Sequence, residues 1–139
     1  ARLRDRLESA LQERIPALEI NGRGAPRLAN TCNLSCHYIE GESILSQLSA
    51  EGICASSGSA CTSGSLEPSH VLRAMGVPFT AIHGSVRFSF SRYTSEEDVE
   101  RIIQVLPEIV RKLRRMSPYW DAEHNRPRPT APIAAISSP

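Results

Sequence analysis

The stretch SSGSACTSGSLEPSHVLRAMG, residues 56–76, decides how the rest of the chain is read. Cys61 stands in it among small residues: Gly58, Ser59 and Ala60 before it, Thr62, Ser63 and Gly64 after it. Nothing in 56–65 has the apolar period of a helix or the alternation of a strand, so the segment reads as a mobile loop. Pro68 follows Glu67 and suits a first helical turn, where its missing N–H would have had no partner. Val71, Leu72 and Met75 give that helix a short apolar face, and Gly76 ends it. A thiol is thus displayed between a strand and a helix, which suits a nucleophile that travels to its target. The plainer alternative, a cysteine buried as a small hydrophobe, lacks apolar neighbours here, and a reactive thiol is the better reading.

Upstream, 53–55 is a short apolar run that reads as a buried strand feeding the loop, with Cys54 a core residue. The helix before it begins at Glu40-Gly41-Glu42, turns Ile44, Leu45 and Leu48 inward and stops near Gly52. Its acids suit a positive helix N-terminus; a general-acid role for Glu40 or Glu42 is the less favoured alternative. In 30–39, Cys32, Leu34, Cys36 and Tyr38 alternate with Thr31, Asn33, Ser35 and His37, a two-residue period that predicts a strand. Cys32 and Cys36 then share a face. A metal pair is one reading, but structural sites want four ligands and no CxxC or paired histidine accompanies them, which favours two core residues. His37, on the opposite face, reads as an exposed or interfacial polar residue. Leu18–Ile20 suits a short strand and Asn21-Gly22 a turn. Leu3, Leu7, Leu11 and Ile15 recur at helical spacing until Pro16.

Downstream, 77–84 is a connector containing His83. In 85–91, Val86, Phe88 and Phe90 alternate with Ser85, Arg87, Ser89 and Ser91. If the phenylalanines face the core, Arg87 projects from the other face, where a guanidinium ordinarily pairs with a surface acid. Thr94 and Glu97 have capping-box spacing. Val99, Ile102, Ile103, Leu106, Ile109, Val110, Leu113 and Met116 then hold one face of a long helix, with Pro107 in its middle. Arg111, Lys112, Arg114 and Arg115 favour its C-terminal end, as the macrodipole prefers. Beyond Trp120 the chain turns polar and proline-rich, and 121–139 reads as a flexible tail or a segment lying along a partner.

The 139 residues suit one domain with a sizeable core. A net charge of +1 argues for neither nucleic acid nor an acidic membrane surface, and no apolar run approaches the roughly 20 residues of a membrane span. The start is charged and amphipathic, without a signal-peptide core. Four cysteines do not make a disulfide framework, so a reduced cytoplasm is expected. Strands alternating with helices suggest an α/β sandwich, a small sheet covered by helices. One residue count decides more: of 16 basic side chains only Lys112 is a lysine.

The quoted stretch resembles the active-cysteine segment of pyridoxal-phosphate-dependent cysteine desulfurases, most closely the nitrogen-fixation-type (NifS-like) members of the class-V aminotransferase family. The resemblance extends to NTCNLSCHYIEGESIL before it, HGSVRFSFSRYTSEEDVERII after it and the closing MSPYW, covering roughly 2–120. It implies conversion of L-cysteine to L-alanine, with Cys61 the catalytic nucleophile that takes the sulfur as a persulfide. It implies that Arg87, in SVRFS, binds the substrate α-carboxylate, for which a planar guanidinium fork is suited. The cofactor would be held as a Schiff base by a lysine amine and act as an electron sink. Lys112 lies in a charged helix without the family's His-Lys motif, so no cofactor-binding residue is expected in this chain and no metal ligand either. The resemblance thus makes 1–120 the C-terminal small domain of a fold-type I enzyme, with a mainly antiparallel sheet and helices on one side, beginning just after a domain boundary.

The partners so implied are the missing large domain, a second copy in a homodimer, and an iron–sulfur scaffold or other sulfur acceptor. His70 and His83 are candidates by proximity for activating Cys61. The alternative of another class is a stand-alone sulfur-carrier or cluster-scaffold module that uses Cys61 without a cofactor; iron or sulfide binding by the chain alone would favour it.

Overall fold

The computed structural model describes residues 1–57 and 69–132. The elements run α1 (Arg2–Arg14), β1 (Leu18–Ile20), β2 (Thr31–Cys36), α2 (Gly41–Ala50), α3 (His70–Ala74), α4 (Phe79–Ile82), β3 (Ser85–Ser89), α5 (Glu96–Arg115), β4 (Trp120–Asp121) and β5 (Arg126–Pro127). β1, β2 and β3 form an antiparallel sheet in that order, with Ile20 opposite Leu34 and Leu34 opposite Val86.

Because side chains alternate along a strand, this register sorts the sheet into two chemically distinct faces. Ile20, Cys32, Leu34, Cys36, Val86 and Phe88 lie on one and join a single core with residues of α1, α2 and α5. Leu7, Leu11, Ile44, Leu48, Ile103 and Leu106 fill it from the helices. The architecture is therefore a small antiparallel sheet with helices packed on one side, as the resemblance implies. The other face carries Glu19, Asn33, Ser35, Ser85 and Arg87. Beside it, residues of α3, α4 and their connection form a second small cluster of Leu72, Val77, Ala81 and Ile82.

Close backbone approach ties the sheet to the helices. A Cβ on Gly84 would stand 2.0 Å from the Cys36 carbonyl oxygen, and one on Gly41 2.6 Å from that of Ser85. The gap lets Cys36 N donate to Gly84 O at 3.0 Å and Gly41 N to His83 O at 2.8 Å. Any larger residue would separate α2 from the β2–β3 ladder.

Several expectations are corrected. The strand over 30–39 stops at Cys36, because Tyr38 takes a positive φ of 67°. Residues 53–55 are not a strand; only Ser56 pairs, with Arg87. The connector 77–84 contains the short helix α4. The capping box of α5 lies one residue later than Thr94 and Glu97: Ser95 Oγ accepts from Asp98 N, and Asp98 accepts from Ser95 N. Thr94 Oγ1 instead accepts from Ser91 N, so it closes the preceding turn. The α5 stripe is buried from Val99 to Leu113, whereas Met116 is 71% exposed, since the helix ends there.

After Trp120 the chain folds back on itself. β4 and β5 pair antiparallel, Arg128 Nε donates to Trp120 O at 3.0 Å, and Tyr38 Oη donates to Pro132 O at 2.9 Å. Among the described residues no helix is long and apolar enough to cross a membrane.

Candidate functional site

Arg87 occupies the middle of β3, between buried Val86 and Phe88, so the pleat turns it onto the polar face. Its backbone bonds outward rather than to β2: Arg87 N donates to Ser56 O at 2.7 Å and Ser56 N to Arg87 O at 3.0 Å. The residue that precedes Cys61 by five positions is thus fastened to the backbone of Arg87. The guanidinium is half-buried, its Nε is shielded from solvent, and among the described residues it has no hydrogen-bond acceptor and no acid within salt-bridge distance. The surface ion pair that a lone arginine ordinarily makes is absent among them. A shielded donor without an acceptor is costly, and an anionic ligand would supply one.

Next to Arg87 the polar face is ordered by side-chain hydrogen bonds. Asn21 Nδ2 donates to Asn33 Oδ1 at 2.6 Å and to Ser35 Oγ at 2.8 Å, and Ser85 Oγ donates to Asn33 Oδ1 at 3.2 Å. Asn21, Ser35 and Ser85 are buried. None of these residues stood out in the sequence as a site residue; the available signals were the polar halves of the alternation in 30–36 and 85–91 and, for Asn21, a turn with Gly22.

Cys61 lies outside the described residues, as do Glu67 and Pro68. The other three thiols are described. Cys32 and Cys36 are fully buried on the core face, and burial pushes each thiol up to about 12. Glu8, which Arg27 holds at 2.7 and 3.0 Å, adds to the effect at Cys32. Such thiols stay protonated at neutral pH and pack as core residues. No group of three or more metal-binding side chains occurs among the described residues. Cys54 is exposed and not a core residue, because 53–55 runs along the surface without pairing.

The histidines divide. His37 is 5% exposed, a correction to its reading as an exposed or interfacial residue. Its Nδ1 lies 2.7 Å from Thr80 Oγ1 and its Nε2 3.2 Å from Glu19 Oε1, so α4 covers it. His70 is exposed at the start of α3. His83 meets Phe79 edge-on, with ring centroids 5.9 Å apart, in the wall of an open cleft of about 560 Å³. Glu40 lines the same cleft and precedes α2 without a side-chain capping bond; Glu42 is exposed.

The residues present do not fit pyridoxal phosphate. Lys112, the single lysine, is exposed on α5, and its Nζ donates to Gln47 Oε1 at 3.2 Å. α2 and α5 pack on the side of the sheet opposite Arg87. The single lysine therefore lies on the side of the sheet opposite Arg87.

The fold and the polar face define the class. Residues 1–102 match the aminotransferase class-V family, and the chain belongs to it. Over 122 residues it is 62% identical to a cysteine desulfurase of Trichormus azollae, covering 88% of this chain and 30% of that protein. It is 58% identical over 118 residues to the cysteine desulfurase NifS of Azotobacter vinelandii, covering 85% and 29%. The X-ray structure of a NifS-like protein from Rickettsia africae ESF-5 superposes with a TM-score of 0.66 at 30% identity, covering 78% of this chain and 27% of that one. The chain thus spans about 30% of the length of the relatives it matches.

Proposed function

We propose that the chain is the C-terminal small domain (1–120, with 121–139 as a tail) of a cytoplasmic cysteine desulfurase. In this reading Arg87 binds the α-carboxylate of L-cysteine and Cys61 takes its sulfur. L-cysteine and the Cys61 thiol become L-alanine and a Cys61 persulfide, with no net oxidant required. Pyridoxal phosphate, held by the rest of the enzyme, would supply the electron sink that this chain's residues do not provide. The persulfide then serves an acceptor in iron–sulfur cluster assembly, of the kind that supplies nitrogen fixation, and the intact enzyme is a homodimer.

The observation that carries the reading is the Arg87 guanidinium, which meets no acceptor among the described residues and whose backbone holds Ser56, the start of the Cys61 stretch. A guanidinium fork meets a carboxylate with two parallel charge-assisted hydrogen bonds. The likeness to cysteine desulfurases over 88% of the chain supports the choice of substrate.

The test uses an enzyme of the relatives' full length that carries this chain. Given L-cysteine and no acceptor, it accumulates one persulfide, at Cys61 by peptide mapping. Cys61→Ser abolishes alanine formation, because a hydroxyl is a far poorer nucleophile toward sulfur than a thiolate. Persulfide on Cys54, or wild-type turnover with serine at position 61, overturns the assignment.

A further inference from the structure

We propose that Asn33 is a second donor to the substrate carboxylate, acting beside Arg87 as a specificity determinant. The inference rests on the assignment of Arg87 to that carboxylate and adds a residue to its site.

Asn33 and Arg87 are directly opposite in the β2–β3 register, so their side chains leave the sheet on the same face. The ladder also fixes how close they stand. Phe90 N donates to Asn30 O and Cys36 N to Gly84 O, which makes those the hydrogen-bonded pairs. Alternation then makes Asn33 and Arg87 a non-hydrogen-bonded pair, the kind with Cα atoms about 4.5 Å apart and side chains closest. The outward backbone bonds from Arg87 to Ser56 agree with that assignment.

The Asn33 amide is held in one orientation. Its Oδ1 accepts from Asn21 Nδ2 at 2.6 Å and from Ser85 Oγ at 3.2 Å, which occupies both lone pairs. Asn21 is buried and gripped by Ser35 in turn, so the acceptor end of the amide cannot swing outward. The donor end is what remains, and among the described residues Asn33 Nδ2 donates to no group. A residue needed only to satisfy Asn21 and Ser85 would require an acceptor alone. Asn33 supplies that acceptor and, on the same plane, two N–H donors next to a guanidinium that meets no acceptor among the described residues. Adjacent donors with no acceptor between them suit a planar anion that can take bonds from both. A substrate α-carboxylate is such an anion; a carboxamide, with one acceptor oxygen and an NH2 of its own, is not.

The test is calorimetric titration of the full-length holoenzyme with L-alanine, the unreactive product, and with L-alaninamide. Asn33→Ala is expected to weaken L-alanine binding by about tenfold or more, as for the loss of one hydrogen bond to a charged group, and to leave L-alaninamide binding unchanged. Asn33→Asp retains the Oδ1 acceptor for Asn21 and Ser85, so it keeps the wild-type unfolding midpoint while losing L-alanine affinity and the preference for acid over amide. With L-cysteine, both variants raise KM more than they lower kcat. Wild-type L-alanine affinity in both variants overturns the inference, as does an equal loss for acid and amide, which would mark a general distortion of the face. Arg87→Ala separates the two levels. If it binds L-alanine as wild type does, the carboxylate assignment itself fails; if it loses L-alanine while the Asn33 variants do not, only the role of Asn33 fails.

Discussion

A thiol sealed among apolar side chains resists ionisation, and this gives Cys32 and Cys36 a measurable signature. Both are pushed by burial from an ordinary 9.0 up to about 12. Below pH 9 the folded and unfolded chains both keep the protons, and the stabilising difference is fully present. Between 9 and about 12 the unfolded chain releases protons that the folded chain retains, so stability falls as pH rises. Each thiol contributes a slope of about 1.4 kcal/mol per pH unit in that window. Urea unfolding between about pH 8 and 10.5 should therefore show alkaline destabilisation, and Cys36→Ala should make its slope shallower by one thiol's share. An unchanged slope would mean that Cys36 is accessible to solvent. Cys54, exposed on the surface, should alkylate before either core thiol.

At the level of elements, Arg114 joins segments that the sheet leaves loose. It sits in the last turn of α5 and is 1% exposed. Its Nη1 donates to Pro16 O at 2.6 Å, and its Nη2 to Ala17 O at 3.0 Å and His37 O at 3.3 Å. The guanidinium stacks over the Trp120 ring at 4.0 Å. One side chain thus pins the α1–β1 turn, the end of β2 and the start of the hairpin to α5. Burial pulls its pKa below the usual arginine value, yet a guanidinium stays protonated. Arg114→Met keeps the volume but strands the carbonyls of Pro16 and His37, since Ala17 O keeps its bond from His37 N. At about 1–3 kcal/mol each, a loss of about 2 kcal/mol or more is expected in chemical denaturation. Arg111→Met, which removes only an exposed pair with Glu108, should change stability by less than about 1 kcal/mol. Equal effects from the two variants would show that the buried contacts are not what holds these segments.

For the whole molecule, the separation of its two faces makes a prediction about the cofactor. Lys112 lies on the helical side, while Arg87 faces away from the core. Mixed with pyridoxal phosphate and reduced with borohydride, the chain should acquire no stoichiometric label at Lys112. A single specific label there would place the cofactor site within this chain. The core is closed by three helices, and among the described residues donors without acceptors collect on the opposite face.

Periodicity alone was enough for α1, α2, the core face of β2 and the buried stripe of α5, because each buries one face and a buried face must repeat with its element's period. The same alternation placed Arg87 opposite the core. It could not show that the guanidinium meets no acid among the described residues, since that depends on which residues the β2–β3 register brings beside it. Nor could it separate Arg114 from Arg111 and Arg115. All three lie near one helix end, and only the path of the α1–β1 turn and Trp120 decides which is enclosed. Cys54 and His37 were misplaced for the same reason. Cys54 looked apolar in a short run that makes no ladder, and His37 looked exposed until Thr80 of α4 closed over it. Local pattern determines which face of an element is apolar; only tertiary packing decides which polar groups are enclosed and which of the described ones meet no protein partner.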